Sequence, residues 1–202
     1  GIKCFENYKC DDCGSFVDGS GTHGLSCPNA KGTYPRHVDL NHIMKRSLTS
    51  ARRPCDLEPL GLSRDDGKRP DGVTLAPWSK GQRLVWDVTC VDTLAPSYLH
   101  LSSRKAGSAA ELASNRKQSH YTRIKASNFL FVGLAFETLG PWCNETKAFI
   151  DEIGRLLIKE SGDIRAKKFL YERISLVIQQ GNARSILGTQ PKRERLDEIY
   201  NL

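Results

Sequence analysis

The chain of 202 residues lacks a long apolar run, because no stretch approaches the roughly eighteen consecutive apolar residues that a membrane-spanning helix needs. Its first residues also lack the pattern of a secretory signal peptide, which combines a basic start, an apolar centre and a small-residue cleavage site. The sequence has no internal repeat and no long low-complexity segment. These absences exclude a transmembrane helix, and we expect one sizeable domain with a small appendage and no membrane partner.

Cysteine is not spread along the chain as a disulfide framework requires. The count is seven, an odd number, and four of the seven lie within the first 27 residues. This distribution favours a reducing compartment and a metal site over disulfide pairing. The chain does not begin with Met, so we expect it to be an excised piece of a longer protein.

Acidic residues are scarce in two segments of a chain that has 30 Lys and Arg against 23 Asp and Glu. Residues 31–53 contain six basic residues and one acid, Asp39, and residues 104–125 contain six basic residues and one acid, Glu111. Such patches are most often solvated helix faces. Two patches on either side of a pair of acids nevertheless favour a nucleic-acid partner.

The chain divides into three predicted parts. Residues 1–35 are rich in Gly, Cys, Ser and Asp, which predicts a loop-built module stabilised by a metal. Residues 36–140 predict an α/β core in the order helix, three strands, helix, strand, with a mixed sheet and helices on both faces. Residues 141–202 predict two amphipathic helices, over 146–159 and 164–180, and a charged tail from Pro191.

Within the core, apolar spacing places the elements. Residues 36–53 predict a helix whose packing face consists of Leu40, Ile43, Met44, Ser47 and Leu48. Residues 57–60 predict a short strand, residues 93–103 an irregular segment because of Pro96, residues 108–128 a helix, and residues 129–136 a buried strand.

A Cys and His pattern in the first part predicts a zinc site. Two residues separate Cys10 from Cys13, three separate His23 from Cys27, and nine lie between the two pairs. Three thiolates and an imidazole suit tetrahedral Zn²⁺, and four protein ligands leave no open position, so the zinc is expected to be structural. Two alternatives stay open: free thiols beside a chance histidine, and Cys4 as a substitute ligand.

Two aspartates lie on neighbouring apolar segments of the core. Asp71 follows Pro70, which suits a strand start, and Asp87 lies in the apolar run 84–89. Residues 77–82 predict a hairpin turn between them. If the two strands pair antiparallel, the two carboxylates come together, and they repel each other unless a cation is held between them. The pattern therefore predicts a divalent metal site.

Glu58, Pro70-Asp71 and Asp87 on consecutive strands after a helix resemble the PD-(D/E)xK nuclease superfamily. With a Cys and His motif directly before them, residues 10–125 are similar to the C-terminal restriction-like endonuclease domain of site-specific non-long-terminal-repeat retrotransposon proteins. The resemblance implies a restriction-endonuclease-like core, a catalytic Mg²⁺ or Mn²⁺ beside the structural zinc, and nicking of target DNA. It also implies element RNA as a second partner, a reverse transcriptase in a longer chain, and a nuclear location.

The resemblance also implies residue roles. Asp71, Asp87 and Glu58 are expected to hold Mg²⁺, but the lysine that the superfamily places two residues after the second acid is replaced by Thr89. In the retrotransposon domains this lysine looks to have moved to the following helix, which makes Lys117 the candidate, with Tyr121 on the same helix face. The expected nucleic-acid contacts are Arg36, His37, Arg69, Arg116 and Lys117.

Two other functions stay open. The chain is alternatively a nucleic-acid-binding module that keeps the nuclease fold and has lost cleavage, and Thr89 is the residue that best supports this reading. It is otherwise a zinc-stabilised interaction domain whose basic faces are incidental.

Overall fold

The computed structural model describes residues 6–63 and 67–189. The strands are β1 (Tyr8–Lys9), β2 (Phe16–Val17), β3 (Cys55–Leu57), β4 (Gly72–Thr74), β5 (Leu84–Val91) and β6 (Leu130–Glu137). The helices are α1 (His23–Ser26), α2 (Thr33–Ser50), α3 (Pro96–Ser102), α4 (Ser108–His120), α5 (Thr122–Ala126), α6 (Asn144–Ser161) and α7 (Ala166–Gly188). Within the described ranges, no helix is both long and apolar enough to cross a membrane.

The main sheet has four strands in the order β3-β4-β5-β6. Strands β3, β4 and β5 pair antiparallel, so the predicted hairpin between the aspartates is present. Strand β6 pairs parallel with β5 over eight residues, from Leu84 opposite Leu130 to Val91 opposite Glu137. The prediction of an α/β fold with a mixed sheet is confirmed.

Alternation along β5 separates the two faces of the sheet. Leu84, Trp86 and Val88 belong to the main core, which α2, α6 and α7 cover. Val85 belongs to a second apolar cluster that includes Tyr121 and Ile124 from the segment of α4 and α5. Asp87 follows the same alternation as Val85, so it faces α4. The predicted helices on both faces are therefore present.

The apolar face predicted for α2 is buried as expected. Its residues are all 6% exposed or less: Leu40, Ile43, Met44, Ser47 and Leu48. Each fully buried leucine, isoleucine or methionine contributes about 1.5–3 kcal/mol relative to an exposed side chain. Packing of this face fixes the orientation of α2 on the sheet. It thereby also fixes the direction of the helix side that carries His37.

Helix α7 also packs closely on the N-terminal module. A Cβ added at Gly24 would lie 2.6 Å from Cα of Ile186, and one at Gly32 would lie 2.2 Å from the carbonyl oxygen of Gly181. Glycine is therefore required at both contacts. The close approach holds the N-terminal module against the core.

Three local predictions are wrong. Strand β3 ends at Leu57, because Glu58 takes a left-handed φ of +48° and Pro59 has no N–H for a ladder. Residues 96–102 form α3, since Pro96 occupies the first helical turn, where a missing N–H costs nothing. The helix predicted over 108–128 is divided at Tyr121 into α4 and α5. The predicted tail from Pro191 lies outside the described residues.

Gly72 gives a test of this packing. A Cβ at this position would lie 2.0 Å from Cζ2 of Trp86, whose indole N–H donates to Oδ1 of Asn41 at 3.2 Å. We expect Gly72→Ala to lower the free energy of unfolding by about 1–3 kcal/mol in urea denaturation, because the fully buried indole has no free space to move into. The matched control is Gly188→Ala, because the three atoms nearest to its added Cβ belong to the Lys31 side chain and lie at 3.3–3.7 Å. Equal losses in the two variants would contradict this account.

Candidate functional site

Asp71 lies directly before β4 and Asp87 lies on β5, at neighbouring positions of the hairpin. The backbone N–H of Asp71 donates to the Trp86 carbonyl at 3.1 Å, which fixes Asp71 beside β5. Its Oδ2 accepts the Val88 N–H at 2.5 Å, so the side chain reaches over the strand that carries Asp87. The antiparallel hairpin thus brings the two acids together.

Asp87 is held by two side chains from the segment that covers this face. Its Oδ2 forms an ion pair with Nζ of Lys117, and its Oδ1 accepts the Tyr121 hydroxyl at 2.8 Å. Burial raises the pKa of Asp87, the nearby charge of Asp71 raises it further, and Lys117 and Tyr121 act in the opposite direction. Tyr121 is 1% exposed, so it fixes a carboxylate and does not offer a surface for stacking on DNA.

Helix α4 reaches Asp87 because Gly133 lies directly opposite that residue in the ladder. A Cβ at Gly133 would lie 3.1 Å from Oγ of Ser114 and 3.3 Å from Cβ of Lys117. The missing side chain therefore lets α4 approach closely enough for the Lys117 amine to meet the Asp87 carboxylate.

Glu145 at the start of α6 fixes α4 at this distance. Its Oε2 accepts the Ser114 hydroxyl at 2.8 Å and the Gly133 N–H at 3.2 Å, and its Oε1 accepts Nε2 of Gln118 at 2.6 Å. At the other end of α4, Oε1 of the buried Glu137 accepts the N–H groups of Ala109 and Ala110. A carboxylate at a helix N-terminus is favourable because the first N–H groups have no helical partners.

His37 connects α2 to the acid pair. Its Nε2 lies 3.0 Å from Oδ1 of Asp71 and 3.2 Å from Nδ2 of Asn41. The hydrogen bond with Asp71 is the main cause of a raised His37 pKa, although burial lowers it in part. The raised pKa favours a proton on Nε2, which His37 then donates to Asp71.

Sequence reasoning missed Asn41, a buried residue that lies beside His37 and fixes the Trp86 indole. Its Nδ2 lies beside His37, its Oδ1 accepts the Trp86 indole N–H, and the residue is 6% exposed. The available signal was a polar residue between Leu40 and Ile43 on an apolar helix face, since a buried amide needs a specific partner.

A cleft of about 580 Å³ opens beside this group. Its walls come from the N-terminal module at Asn29, from α2 at Tyr34 and His37, from β5 at Thr89, and from α4 at Lys117. Thr89 therefore lines the same cleft as Lys117. The cleft is open to solvent and bordered by basic groups.

Within the described residues, the Glu58 carboxylate forms no hydrogen bond or ion pair with Asp71, Asp87 or Lys117. Its side chain is 74% exposed and lies 3.7 Å from Nη2 of Arg69. Its backbone N–H donates to the Asp71 carbonyl at 2.9 Å, so the residue is adjacent in the sheet while its carboxylate pairs elsewhere. Its predicted role as a metal ligand stays a prediction.

The other predicted nucleic-acid contacts differ in exposure. Arg36 is only 3% exposed and donates from Nη1 to Oδ1 of Asn182 at 2.7 Å, although it borders the cleft. Arg116 is exposed, and its Nη1 donates to the Tyr98 hydroxyl at 3.1 Å. Arg116 is therefore accessible, whereas Arg36 links α2 to α7.

The four predicted zinc ligands form one cluster. The ligand atoms of Cys10, Cys13, His23 and Cys27 all lie within 4.8 Å of one another. Sγ of Cys10 is 4.0 Å from Sγ of Cys27, and Sγ of Cys13 is 3.3 Å from Nε2 of His23. Tetrahedral zinc with bonds of about 2.3 Å to sulfur places its sulfur ligands roughly 3.8 Å apart. The cluster therefore fits zinc, while Cys4, the alternative ligand, lies outside the described residues.

The thiols of the cluster differ in acidity. Hydrogen bonds from the hydroxyl and backbone of Ser15 lower the pKa of Cys13 to about 6, so this thiol is mostly ionised at neutral pH. Burial raises the pKa of Cys27 to about 12. Because zinc binds thiolates, metal binding is expected to release a proton from the Cys27 thiol.

We expect the purified chain to hold one zinc ion, and Cys27→Ser to lose it and to unfold the N-terminal module. Metal analysis after dialysis and the absorption of the Co²⁺-substituted protein provide the measurements. The control is Cys90→Ser, because Cys90 lies on β5 away from the cluster. Loss of zinc in Cys4→Ser with retention in Cys27→Ser would contradict the assigned ligand set.

The buried charge of Asp87 gives a prediction about stability. Because its pKa is raised in the folded state, ionisation of Asp87 opposes folding at any pH above the ordinary range of an aspartate. We expect Asp87→Asn to raise the free energy of unfolding by on the order of 1 kcal/mol at neutral pH, with the gain vanishing as acid protonates Asp87 in both states. Thermal unfolding from pH 3 to pH 8 measures this.

Asp71→Asn is the control for that experiment. The Asp71 carboxylate accepts the Val88 N–H and contacts His37, so its replacement removes favourable contacts. A pH-dependent gain of the same size in both variants would rule out burial of Asp87 as the cause.

The chain was also compared with known proteins. No protein-family model matches the sequence, and no curated protein matches it either. Our interpretation therefore depends only on the residues and geometry of this chain, namely its mixed sheet, its Cys and His cluster and its carboxylate group.

Proposed function

We propose that the chain is a metal-dependent DNA endonuclease that hydrolyses phosphodiester bonds and nicks target DNA for a retrotransposon or a protein derived from one. The observation that carries this proposal is the meeting of two carboxylates, Asp71 and Asp87, with the ammonium group of Lys117. Two acids and a lysine at one end of a sheet are the parts that metal-assisted phosphodiester hydrolysis needs.

The topology supports a PD-(D/E)xK core. Helix α2 precedes the antiparallel strands β3, β4 and β5, and a helical crossover then leads to β6, which is parallel to β5. This order of elements matches what the resemblance implies. Lys117 on the crossover compensates for Thr89 at the usual lysine position, because its amine reaches the second acid from the facing helix.

The donor set suits Mg²⁺ or Mn²⁺, since two carboxylates can supply the oxygen ligands that these hard ions prefer. A bound ion of this kind would lower the pKa of a coordinated water and offset charge on the scissile phosphate. Lys117 would then exchange its contact with Asp87 for one with the phosphate and stabilise negative charge there. Tyr121 and His37 would hold the carboxylates of Asp87 and Asp71 in place.

The cleft beside the acids supports a nucleic-acid substrate. Lys117 and His37 border it on two sides, and Tyr34, which is 75% exposed, lies at its rim. Basic groups bind phosphates, and an exposed aromatic ring can stack on a base. The N-terminal module forms one wall, so structural zinc would shape the substrate path without taking part in the reaction.

One observation favours the alternative of a nucleic-acid-binding module without cleavage. Thr89 occupies the usual lysine position, and Lys117 forms an ion pair with Asp87. In that case the ion pair would be a structural replacement for the metal.

A nicking assay on supercoiled plasmid tests the proposal with Mg²⁺, Mn²⁺ or EDTA. We expect Asp71→Ala, Asp87→Asn and Lys117→Ala each to reduce nicking by about a hundredfold or more, since each removes a metal ligand or a stabilising charge. Glu58→Gln measures the contribution of the exposed acid.

Asp56→Ala is the matched control, because Asp56 is an exposed carboxylate on the neighbouring strand β3. It should nick at the rate of the unchanged protein. DNA binding without nicking in Mn²⁺ would refute the endonuclease proposal and support the binding module.

A further inference from the structure

A second concave surface, which we call the α2–α7 trough, lies between those two helices and has a volume of about 1100 Å³. Lys45 and Arg46 line it from α2, and Arg173 and Arg184 line it from α7. Asp39 is the one acid among its lining residues. The four cations therefore give this trough a strongly positive character that its single acid does not balance.

Three of these cations, Lys45, Arg46 and Arg173, have no ion-pair partner within residues 6–63 and 67–189. Asp39 is engaged by Arg184 at 3.2 Å. Arg46 and Arg173 are exposed and have no carboxylate within ion-pair distance in the part of the chain that the structure describes. Two unpaired guanidinium groups on facing walls suit phosphate, because guanidinium matches its oxygens with paired N–H donors.

The spread of charge indicates a polymer. Eleven residues separate Arg173 from Arg184 in sequence number, which corresponds to about 16 Å along α7 at roughly 1.5 Å per residue. A single phosphate group is far smaller than this distance. A backbone with repeating phosphates can contact cations along the whole length.

The trough and the cleft beside Asp71 lie on different sides of α2. Arg46 follows His37 by nine positions, and nine steps of about 100° bring a side chain half a turn away on the helix. His37 borders the cleft, whereas Arg46 borders the trough. A nucleic-acid segment bound in the cleft therefore does not occupy the trough.

We propose that the α2–α7 trough binds the phosphodiester backbone of a second nucleic-acid segment, separate from the segment at the carboxylate site. Its contacts are to phosphate and are independent of base sequence. DNA and RNA share this chemistry, and the experiment distinguishes them. Binding here does not depend on cleavage, so it stands whether or not the carboxylate site is catalytic.

The test is the double charge reversal R46E/R173E in the full chain, with binding to a fluorescent DNA duplex and to a fluorescent single-stranded RNA measured by anisotropy in EDTA. We expect at least a tenfold loss of affinity at low salt for one of the two probes. The slope of log K against log [salt] should also become shallower by about 2, since two phosphate contacts are lost. The probe with the larger loss identifies the nucleic acid that the trough binds.

The matched control is K147E/K159E, which changes the net charge equally on the exposed surface of α6. It should lose less than threefold, with circular dichroism verifying that both proteins are folded. Equal losses in the two variants would overturn the proposal in favour of a general charge effect, and no loss in R46E/R173E would overturn it outright. Competition by poly-glutamate as strong as competition by nucleic acid, at equal charge, would also overturn it.

Asp87→Asn separates the two proposals. In this background R46E/R173E is expected to weaken binding by the same factor as in the unchanged protein, because Asp87 is 5% exposed and does not line the trough. Loss of nicking with the same effect of R46E/R173E would therefore leave the trough proposal intact, and absence of that effect would leave the nicking test intact.

Discussion

The parallel ladder between β5 and β6 is the constraint on which the carboxylate group depends. Parallel neighbours cannot be joined by a tight turn, so the chain must cross the sheet between them, and this crossover includes α4. The register places Asp87 opposite Gly133, where the absence of a side chain lets α4 approach. Shifting that register by one residue would exchange Gly133 for a side chain and turn β6 over. Lys117 would then lose its position above Asp87.

Because Asp87 is buried, its negative charge must be compensated by neighbouring groups. Taking a carboxylate out of water is costly, and an ion pair regains that cost only with good geometry and further hydrogen bonds. Asp87 has both Lys117 and Tyr121, yet burial and Asp71 still raise its pKa. A buried ion pair is weak evidence for a stabilising role, since apolar residues of similar volume often do as well. Under the proposed function, the arrangement would keep two acids together for a cation, at some cost in stability.

The longest described helix connects parts that are distant in sequence. Helix α7 packs on the main core, on α2 through Arg36 and Asn182, and on the N-terminal module at Gly24 and Gly32. The cleft and the α2–α7 trough consequently lie on two sides of α2, and α7 or the N-terminal module supplies part of a wall to each. This geometry accounts for two basic surfaces on one domain. The domain boundaries predicted at residues 35 and 140 stay predictions.

The local pattern of residues in the sequence by itself determined several helices and strands and two clusters of polar side chains. The spacing of apolar residues located α2, β5 and β6, a turn between two strands brought Asp71 and Asp87 together, and the spacing of Cys and His located the metal cluster. Each of these depends on neighbours within one or two elements, where periodicity and turn geometry suffice. The tertiary structure alone decided that the Glu58 side chain is exposed, that Tyr121 at the end of α4 holds Asp87, and that Asn41 fixes the Trp86 indole. These outcomes depend on register and close packing between distant segments, which no local pattern encodes.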